Sequence, residues 1–311
     1  MTQTECSTVL GVAASLQTQL VLYEHRPATI QRAVEGLCAA VRHARARGPL
    51  DHRLTIGDCS ADRCLAAADV DALASTSASE GAGSVTYEHF GENLGSAGGS
   101  NRLAKDASAE LLLVLNPDTY AAPSMLSELL AALSDDGVGV AEGRQIPLEH
   151  PKAFDPATGD TSWASGCCTL VRRSVFDEVD GYDAETFPLY CDDVDFSWRV
   201  RVAGHRVVHV PGAVLFHDKR IGAVDGRPVT APSGLEVYWS VLARLLLATK
   251  WGRPDVVATT LSASARSDDP DIRRGVDDYE ERGRAGRLPA VQPDAARVAE
   301  FVGGAYGPHR F

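Results

Sequence analysis

The sequence predicts an α/β fold, Rossmann-like and doubly wound, with a mostly parallel sheet and helices on both faces. Three observations predict it. Strand-like apolar runs alternate with helical patterns as far as about residue 220. The segment "AELLLVLNPD" (109–118) carries a continuous apolar run that stops at polar residues, as a central strand covered on both faces would. Two aspartates, Asp58 and Asp118, end predicted strands, at the edge where such sheets bind ligands.

The elements follow in order. "TQLVLYE" (18–24) reads as a strand. "PATIQRAVEGLCAAVRHARARG" (27–48) opens on proline, repeats apolar residues at helical spacing and closes on Gly48, which predicts a helix. "HRLTIGD" (52–58) and "SVTYEHF" (84–90) are the second and third strands, and "GENLGSAGGSNRLAKDA" (91–107) is a glycine-rich loop entering a helix. After the strand at 109–118, "SGCCTLVRRSVFDEV" (165–179) reads as a strand entering a helix. "LYCDDVDFSWRV" (189–200) begins another helix, capped by Gly204. "HRVVHVPGAVLFHD" (205–218) predicts two short strands broken at Pro211. Residues 221–234, rich in Gly and Pro, read as a loop, and 235–251 as a helix with one packed face. The main domain is expected over 1–262. A charge-dense, partly helical C-terminal extension follows over 263–311, with a last helix near 293–302.

Composition narrows the function. The chain has 311 residues, 44% hydrophobic and 23% charged, enough for a sizeable core. A net charge of −12 argues against nucleic acid and anionic membranes as partners, because like charges repel. The seven cysteines (Cys6, Cys38, Cys59, Cys64, Cys167, Cys168 and Cys191) are odd in number and form no CxxC pair. That argues against a zinc site and for reduced thiols in a cytoplasm. The N-terminus "MTQTECSTVLGVAASL" lacks the basic start of a signal peptide. No transmembrane segment is expected, since the nearest apolar run, "VYWSVLARLLLATKW" (237–251), is interrupted by Arg244.

Four places carry chemistry. Asp118 would emerge at the ligand edge of the sheet, where one carboxylate can hold a Mg2+ or Mn2+ ion carrying a diphosphate. Asn116 adds a neutral oxygen there; the alternative is an Asn-Pro-Asp turn. His217, at the end of "VLFHD", either completes that coordination or is structural. The glycine-rich loop at 90–101 either brings backbone N–H groups to an anion or is a flexible connection. In "LYCDDVDFSWRV", Asp192 and Asp195 share a helix face, and Asp195 can pair with Arg199 one turn on. Helix capping needs one acid and leaves the others for further work. Nearby aromatic residues would raise a carboxyl pKa towards that of a general base.

These residues resemble family 2 glycosyltransferases of the GT-A fold, most closely the rhamnosyltransferase-like branch. The resemblance rests on "LVLYEHRPATI", "ENLGSAGGSNR", "LLLVLNPDTY" and the long block from "SGCCTLVRR" to "VLFHD", in the family's order, over about residues 18–218. It implies a nucleotide-sugar half to about residue 120 and an acceptor half to 262. The implied reaction is an inverting transfer from a UDP- or dTDP-sugar, with dTDP-rhamnose as one candidate. The implied acceptor is a glycan, lipid-linked sugar or small natural product. Tyr23, Glu24, Asp58, Asn93, Asn101 and Asn116 would meet the nucleotide, and Asp118 and His217 the metal. Asp193 would be the catalytic base with Asp192 beside it, and Trp163 and Gly166 would lie near the acceptor. Departures are "NPD" for a full DxD, "DCSAD" for the usual Asp-Asn-Ala-Ser, and one extra residue in "YEHRP". The resemblance is compatible with a homodimer. A nucleotidyltransferase or pyrophosphorylase would share sheet and metal, but "YEHRPATI" is not its basic glycine-rich signature. A non-catalytic nucleotide- or carbohydrate-binding module would have little reason to keep both the acids and His217.

Overall fold

The structure, a computed structural model, describes residues 14–302 and 306, apart from 106, 150–152, 220, 225–226 and 231. Its first half alternates strand and helix: β1 (Ala14–Leu22), α1 (Pro27–Arg45), β2 (Leu50–Asp58), α2 (Ala67–Ser79), β3 (Ser84–His89), α3 (Gly95–Lys105) and β4 (Leu111–Leu115). Then come β5 (Thr119–Ala121), α4 (Met125–Ala132), β6 (Val138–Ile146), β7 (Cys168–Arg172), α5 (Arg173–Glu178), α6 (Asp192–Val202) and β8 (Arg206–His217). One eight-stranded sheet runs β3-β2-β1-β4-β7-β6-β8-β5. The quartet β3-β2-β1-β4 is parallel, as predicted. Beyond it the sheet is mixed: β7 is antiparallel to β4 and β6, β8 is parallel to β6, and β5 is antiparallel to β8.

Strand β4 explains the layering. Its side chains alternate, and all are buried. Leu111, Leu113 and Leu115 join one cluster with Ile30, Val34 and Leu37 of α1 and Met125 and Leu129 of α4. Leu112 and Val114 face the other way, onto Ala97 of α3, Val175 of α5 and Phe196 of α6. Burial on both faces is why this strand reads as a continuous apolar run.

Three expectations need correction. Residues 206–217 form one strand, not two. The register against β6 jumps from Gly143↔Val210 to Arg144↔Val214, so Pro211 sits in a bulge where no ladder N–H is required of it. The segment expected as a loop contains an antiparallel pair, β9 (Ile221–Val224) and β10 (Arg227–Thr230). The Asp225-Gly226 dipeptide between them is a hairpin signal that outweighs the glycine and proline content. Residue 262, expected to close the main domain, lies inside α8 (Pro254–Ser264). Together with α7 (Gly234–Lys250), α9 (Pro270–Arg284) and α10 (Ala295–Val298), α8 builds a second apolar cluster against the outer face of α6. Trp198 and Val194 of α6 meet Tyr238, Leu242, Leu246, Trp251, Tyr279 and Val298 there. The charged residues of α9 occupy its solvent side, which is why it reads as an appendage in sequence.

All six described cysteines are free thiols; Cys6 lies outside the described residues. Among the described residues no helix is long and apolar enough to cross a membrane.

Candidate active site

The carboxyl ends of β4 and β8 bring two predicted ligands together. Thr119 pairs with His217 in the β5–β8 ladder, which sets Asp118 beside the imidazole. Asp118 Oδ1 and His217 Nε2 are 3.3 Å apart. Burial raises the Asp118 carboxyl, but the His217 imidazole outweighs it and holds Asp118 below its ordinary value. On its other side, His217 Nδ1 lies 2.9 Å from Gln145 Oε1 and 3.3 Å from Cys167 Sγ. Gln145 donates its amide nitrogen to Ser165 Oγ at 3.0 Å, so its oxygen is the atom turned to His217. The ring is thus held with Nδ1 turned to Gln145 and Nε2 turned to the Asp118 carboxylate, with which it pairs. Both atoms are of the kind that can ligate a divalent cation. Their separation matches neighbouring ligands of an octahedral Mg2+ or Mn2+ shell, which stand roughly 3 Å apart when each is about 2.1 Å from the ion. Among the described residues no group of three or more His, Cys, Asp or Glu could hold a metal ion.

The acidic motif opens α6. Tyr190 and Cys191, immediately before it, both have left-handed backbones, with φ of 64° and 57°. For non-glycine residues this is strain, and here it aims the first helical turn. Asp193 accepts hydrogen bonds from Gly166 N–H at 3.0 Å and Val194 N–H at 2.8 Å. Asp192 accepts from Ser96 Oγ at 3.2 Å. Burial, and then the charge of Asp193, push the Asp192 carboxyl up. The two titrate as a pair that keeps one proton where separate carboxylates would have lost both. Asp195 is wholly buried and pairs with Arg199 at 2.8 Å, as its spacing predicts.

The expected nucleotide residues separate into two groups. Tyr23, Glu24 and Asp58 gather where β1 and β2 end: Glu24 N–H donates to Ser60 Oγ at 2.8 Å, and Ser60 N–H to Asp58 Oδ1 at 3.0 Å. Asp58 Oδ2 accepts from Cys64 N–H and Tyr87 Oη. Burial opposes its ionisation, yet these donors hold its carboxyl below the ordinary value. Both Asp58 oxygens are therefore taken up by the protein's own donors, which tie the ends of β2 and β3 to the 60–64 segment. Asn93 and Asn101 bond the protein's own backbone. Asn93 Oδ1 accepts from Gly95 N–H at 3.0 Å. Asn101 exchanges two hydrogen bonds with the Tyr182 backbone, at 2.7 and 2.9 Å. In the glycine-rich loop, one glycine is required by contact with the protein itself. Gly95, at φ 69°, lies where a Cβ would strike the Pro188 carbonyl. That close approach lets Ser96 reach Asp192. Asn116 fixes the β4 exit through its backbone, donating N–H to the Cys167 carbonyl at 2.9 Å. Trp163 is buried in the second cluster, edge-on to Tyr306.

Comparison with known proteins agrees with this geometry. Residues 21–155 match the family described as Glycosyl transferase family 2. Over these residues the chain is similar to family 2 glycosyltransferases. It is 29% identical over 176 residues to an N-acetylglucosaminyl-diphospho-decaprenol L-rhamnosyltransferase of Mycobacterium tuberculosis, a match covering 42% of this chain and 57% of that relative. Solved structures with the same GT-A fold include GalNAc-T7 with UDP, GalNAc and Mn2+. It has a TM-score of 0.59 and 14% identity, over 88% of this chain and 55% of that one. Another is the mannosyltransferase PcManGT of Pyrobaculum calidifontis in complex with GDP-Man and Mn2+, with a TM-score of 0.54 and 14% identity, over 89% and 84%. The matched segment takes in Tyr23, Asp58 and Asp118, whereas Gly166, Asp193 and His217 lie beyond it.

Four residues of the domain escaped sequence reasoning. Gln145, Ser96 and Glu142 act through contacts between distant segments; Glu142 Oε1 accepts from Ser165 N–H at 2.8 Å, behind Gly166. His25 had a signal, since it is the extra residue in "YEHRP". Burial lowers its imidazole pKa, while the charges of Asp118 and Asp58 pull it back.

Proposed function

We propose that the domain catalyses an inverting glycosyl transfer from a nucleoside-diphosphate sugar, a UDP- or dTDP-sugar with dTDP-rhamnose as first candidate, to an acceptor hydroxyl. One observation carries this reading: Gly166 and Cys167 are consecutive, the first donating to Asp193 and the second touching His217. A proton acceptor and a carboxylate–imidazole pair therefore flank one short loop, as a reaction between a hydroxyl and a sugar diphosphate requires.

Asp193 takes the proton of the acceptor hydroxyl as that oxygen attacks the anomeric carbon. The bond to the nucleoside diphosphate breaks on the opposite face. Asp193 already accepts two backbone N–H bonds, which an ionised carboxylate does best. Asp192 holds the proton that the pair retains. Asp118 and His217 would hold Mg2+ or Mn2+, which when bound neutralises charge developing on the diphosphate. Gln145 keeps His217 Nε2 turned to Asp118. Tyr23, Tyr87 and the 60–64 loop form the nucleotide end.

The test has two parts. With dTDP-rhamnose or a UDP-sugar, Mn2+ and candidate acceptors, the wild type should release nucleoside diphosphate; pyrophosphate release would mean nucleotidyl transfer instead. Asp193→Asn should lose at least about 100-fold in turnover, the usual scale of general-base action, with nucleotide affinity unchanged. Near-normal turnover in that variant sinks the base assignment.

A further inference from the structure

Strand β6 carries a buried carboxylate that the chemistry above does not use. Glu142 and Gln145 leave the strand on opposite faces, since side chains alternate along it. On one face, Glu142 lies across from His209 in the β6–β8 ladder, with Oε2 3.3 Å from His209 Nδ1. On the other face, Gln145 reaches His217. Both side chains then meet at Ser165, just before β7 begins. Glu142 Oε1 accepts the Ser165 N–H at 2.8 Å, and Ser165 Oγ accepts the Gln145 amide at 3.0 Å. Thr169 Oγ1 donates to the Ser165 carbonyl. Glu142, Gln145, Ser165, Thr169 and His209 are all buried.

The next two residues lead into the site. Gly166 N–H donates to Asp193 Oδ2 at 3.0 Å, and Cys167 Sγ lies 3.3 Å from His217 Nδ1. The successive N–H groups of Ser165 and Gly166 therefore each end on a carboxylate. Only the φ and ψ of Ser165 separate the two peptide planes, so pinning the first limits where the second can aim. A hydrogen bond from N–H to a carboxylate is roughly twice as strong as a neutral one, which makes Glu142 a firm hold on the loop. A carboxylate with no exposed surface is costly to keep, and a core that only had to be filled would not need one.

We propose that Glu142 is a positioning residue for the transfer. By fixing the peptide before Gly166 it sets the direction of the Asp193 carboxylate, and through Ser165 and Gln145 it sets the His217 ring. This rests on the transferase reading and deepens it, because it gives the proton acceptor and the metal pair one common support. Glu142 acts through the loop, not on substrate or metal. Its essential property is length, so that Oε1 reaches the Ser165 N–H; the charge only strengthens that bond. A displacement of about 1 Å in a reacting group can cost roughly 100-fold in rate, so a slack loop is felt in the chemical step.

Two substitutions in the full chain separate length from charge. Glu142→Gln keeps the reach and an oxygen for the Ser165 N–H. Glu142→Asp keeps the charge and falls short by one methylene. Turnover is measured with dTDP-rhamnose or a UDP-sugar at saturating Mn2+, and Mn2+ affinity by electron paramagnetic resonance with dTDP present. The Gly166 amide proton is followed by NMR, and melting is recorded alongside. Glu142→Asp should lose at least about tenfold in turnover and about tenfold in Mn2+ affinity, and its Gly166 amide resonance should leave the wild-type position. Glu142→Gln should stay within about fivefold of wild type in turnover and Mn2+ affinity, the scale of one weakened hydrogen bond. The opposite order, with Asp active and Gln impaired, would show that Glu142 acts by charge and overturns the proposal. A Glu142→Asp protein that unfolds overturns it too, and so does one that melts lower with turnover and Mn2+ affinity unchanged, because Glu142 would then serve the core alone. If the wild type turns over no donor, the transferase reading itself falls, and the Mn2+ affinities and the Gly166 resonance still decide the role of Glu142.

Discussion

The imidazole of His217 can present one nitrogen to a cation, and Gln145 decides which. Its oxygen lies 2.9 Å from Nδ1, and its amide is itself fixed by Ser165. Removing such a partner typically costs 10–100-fold in metal affinity, roughly, because the ring is then free to turn or change tautomer. Gln145→Leu should therefore weaken Mn2+ binding by about 10-fold or more, read by electron paramagnetic resonance of free Mn2+ at fixed dTDP. Unchanged Mn2+ affinity would show that the amide does not orient the ring. Asp192 gives a second prediction. Its carboxyl is raised in the folded state by burial and by Asp193. The stability this confers is complete below the unfolded carboxyl value and is lost as pH rises through the folded one. Asp192→Asn cannot ionise, so its melting temperature should gain on the wild type as the pH rises from about 5 to about 9. The gain should be on the order of 3 °C or more at the alkaline end. A difference independent of pH would mean that Asp192 is an ordinary carboxylate.

Helix α6 shows how an element is held so that one turn can work. Its first turn leaves the strained Tyr190–Cys191 pair, and its middle is gripped through Asp195. Asp195 bonds Arg199, Lys250 and Trp251, and Lys250 also reaches Asp183 Oδ2 at 2.6 Å. Two cations and two carboxylates balance, and the aspartates tie α6 and the turn before it to α7. Deleting one partner of a buried pair costs about 3–5 kcal/mol, because the other is left uncompensated. In Lys250→Met the orphan is Asp183, which is a quarter exposed, so the lower end applies. The variant should melt lower by on the order of 10 °C. Lys250→Met with Asp183→Asn should recover at least half of that, in a double-mutant cycle read by calorimetric melting. Simple additivity would mean that the network is not coupled. The Asp195–Arg199 contact was legible in the sequence because helical spacing joins residues four apart. The Trp251 and Asp183 contacts span 56 and 67 residues and leave no periodic trace.

At the scale of the molecule, legibility followed locality. The parallel half could be read because each strand is an apolar run and each crossover helix has its own period, so Asp58 and Asp118 fell at the correct edge. The mixed half could not, because β7 and β8 owe their neighbours to chain reversals between distant segments. The same limit hid the C-terminal helices. Residues 263–302 look like a solvated tail because their charge faces outward, yet Tyr279 Oη meets Thr249 Oγ1 at 2.8 Å. Gly275 packs so closely on α7 that a Cβ would press on the Tyr238 carbonyl. Val276, Tyr279, Leu288, Ala295 and Val298 all belong to the cluster that backs α6. Ending the chain after residue 265 would expose Tyr238, Leu242 and Trp251 and strip Trp198 of its contact with Phe301. Each such side chain loses about 1.5–3 kcal/mol of burial when it returns to water. The truncated chain should therefore bind a hydrophobic dye strongly and melt lower by at least about 10 °C, and it should lose activity with the acidic helix unsupported. Melting within about 2 °C of the full chain would make the C-terminal helices a separable appendage after all.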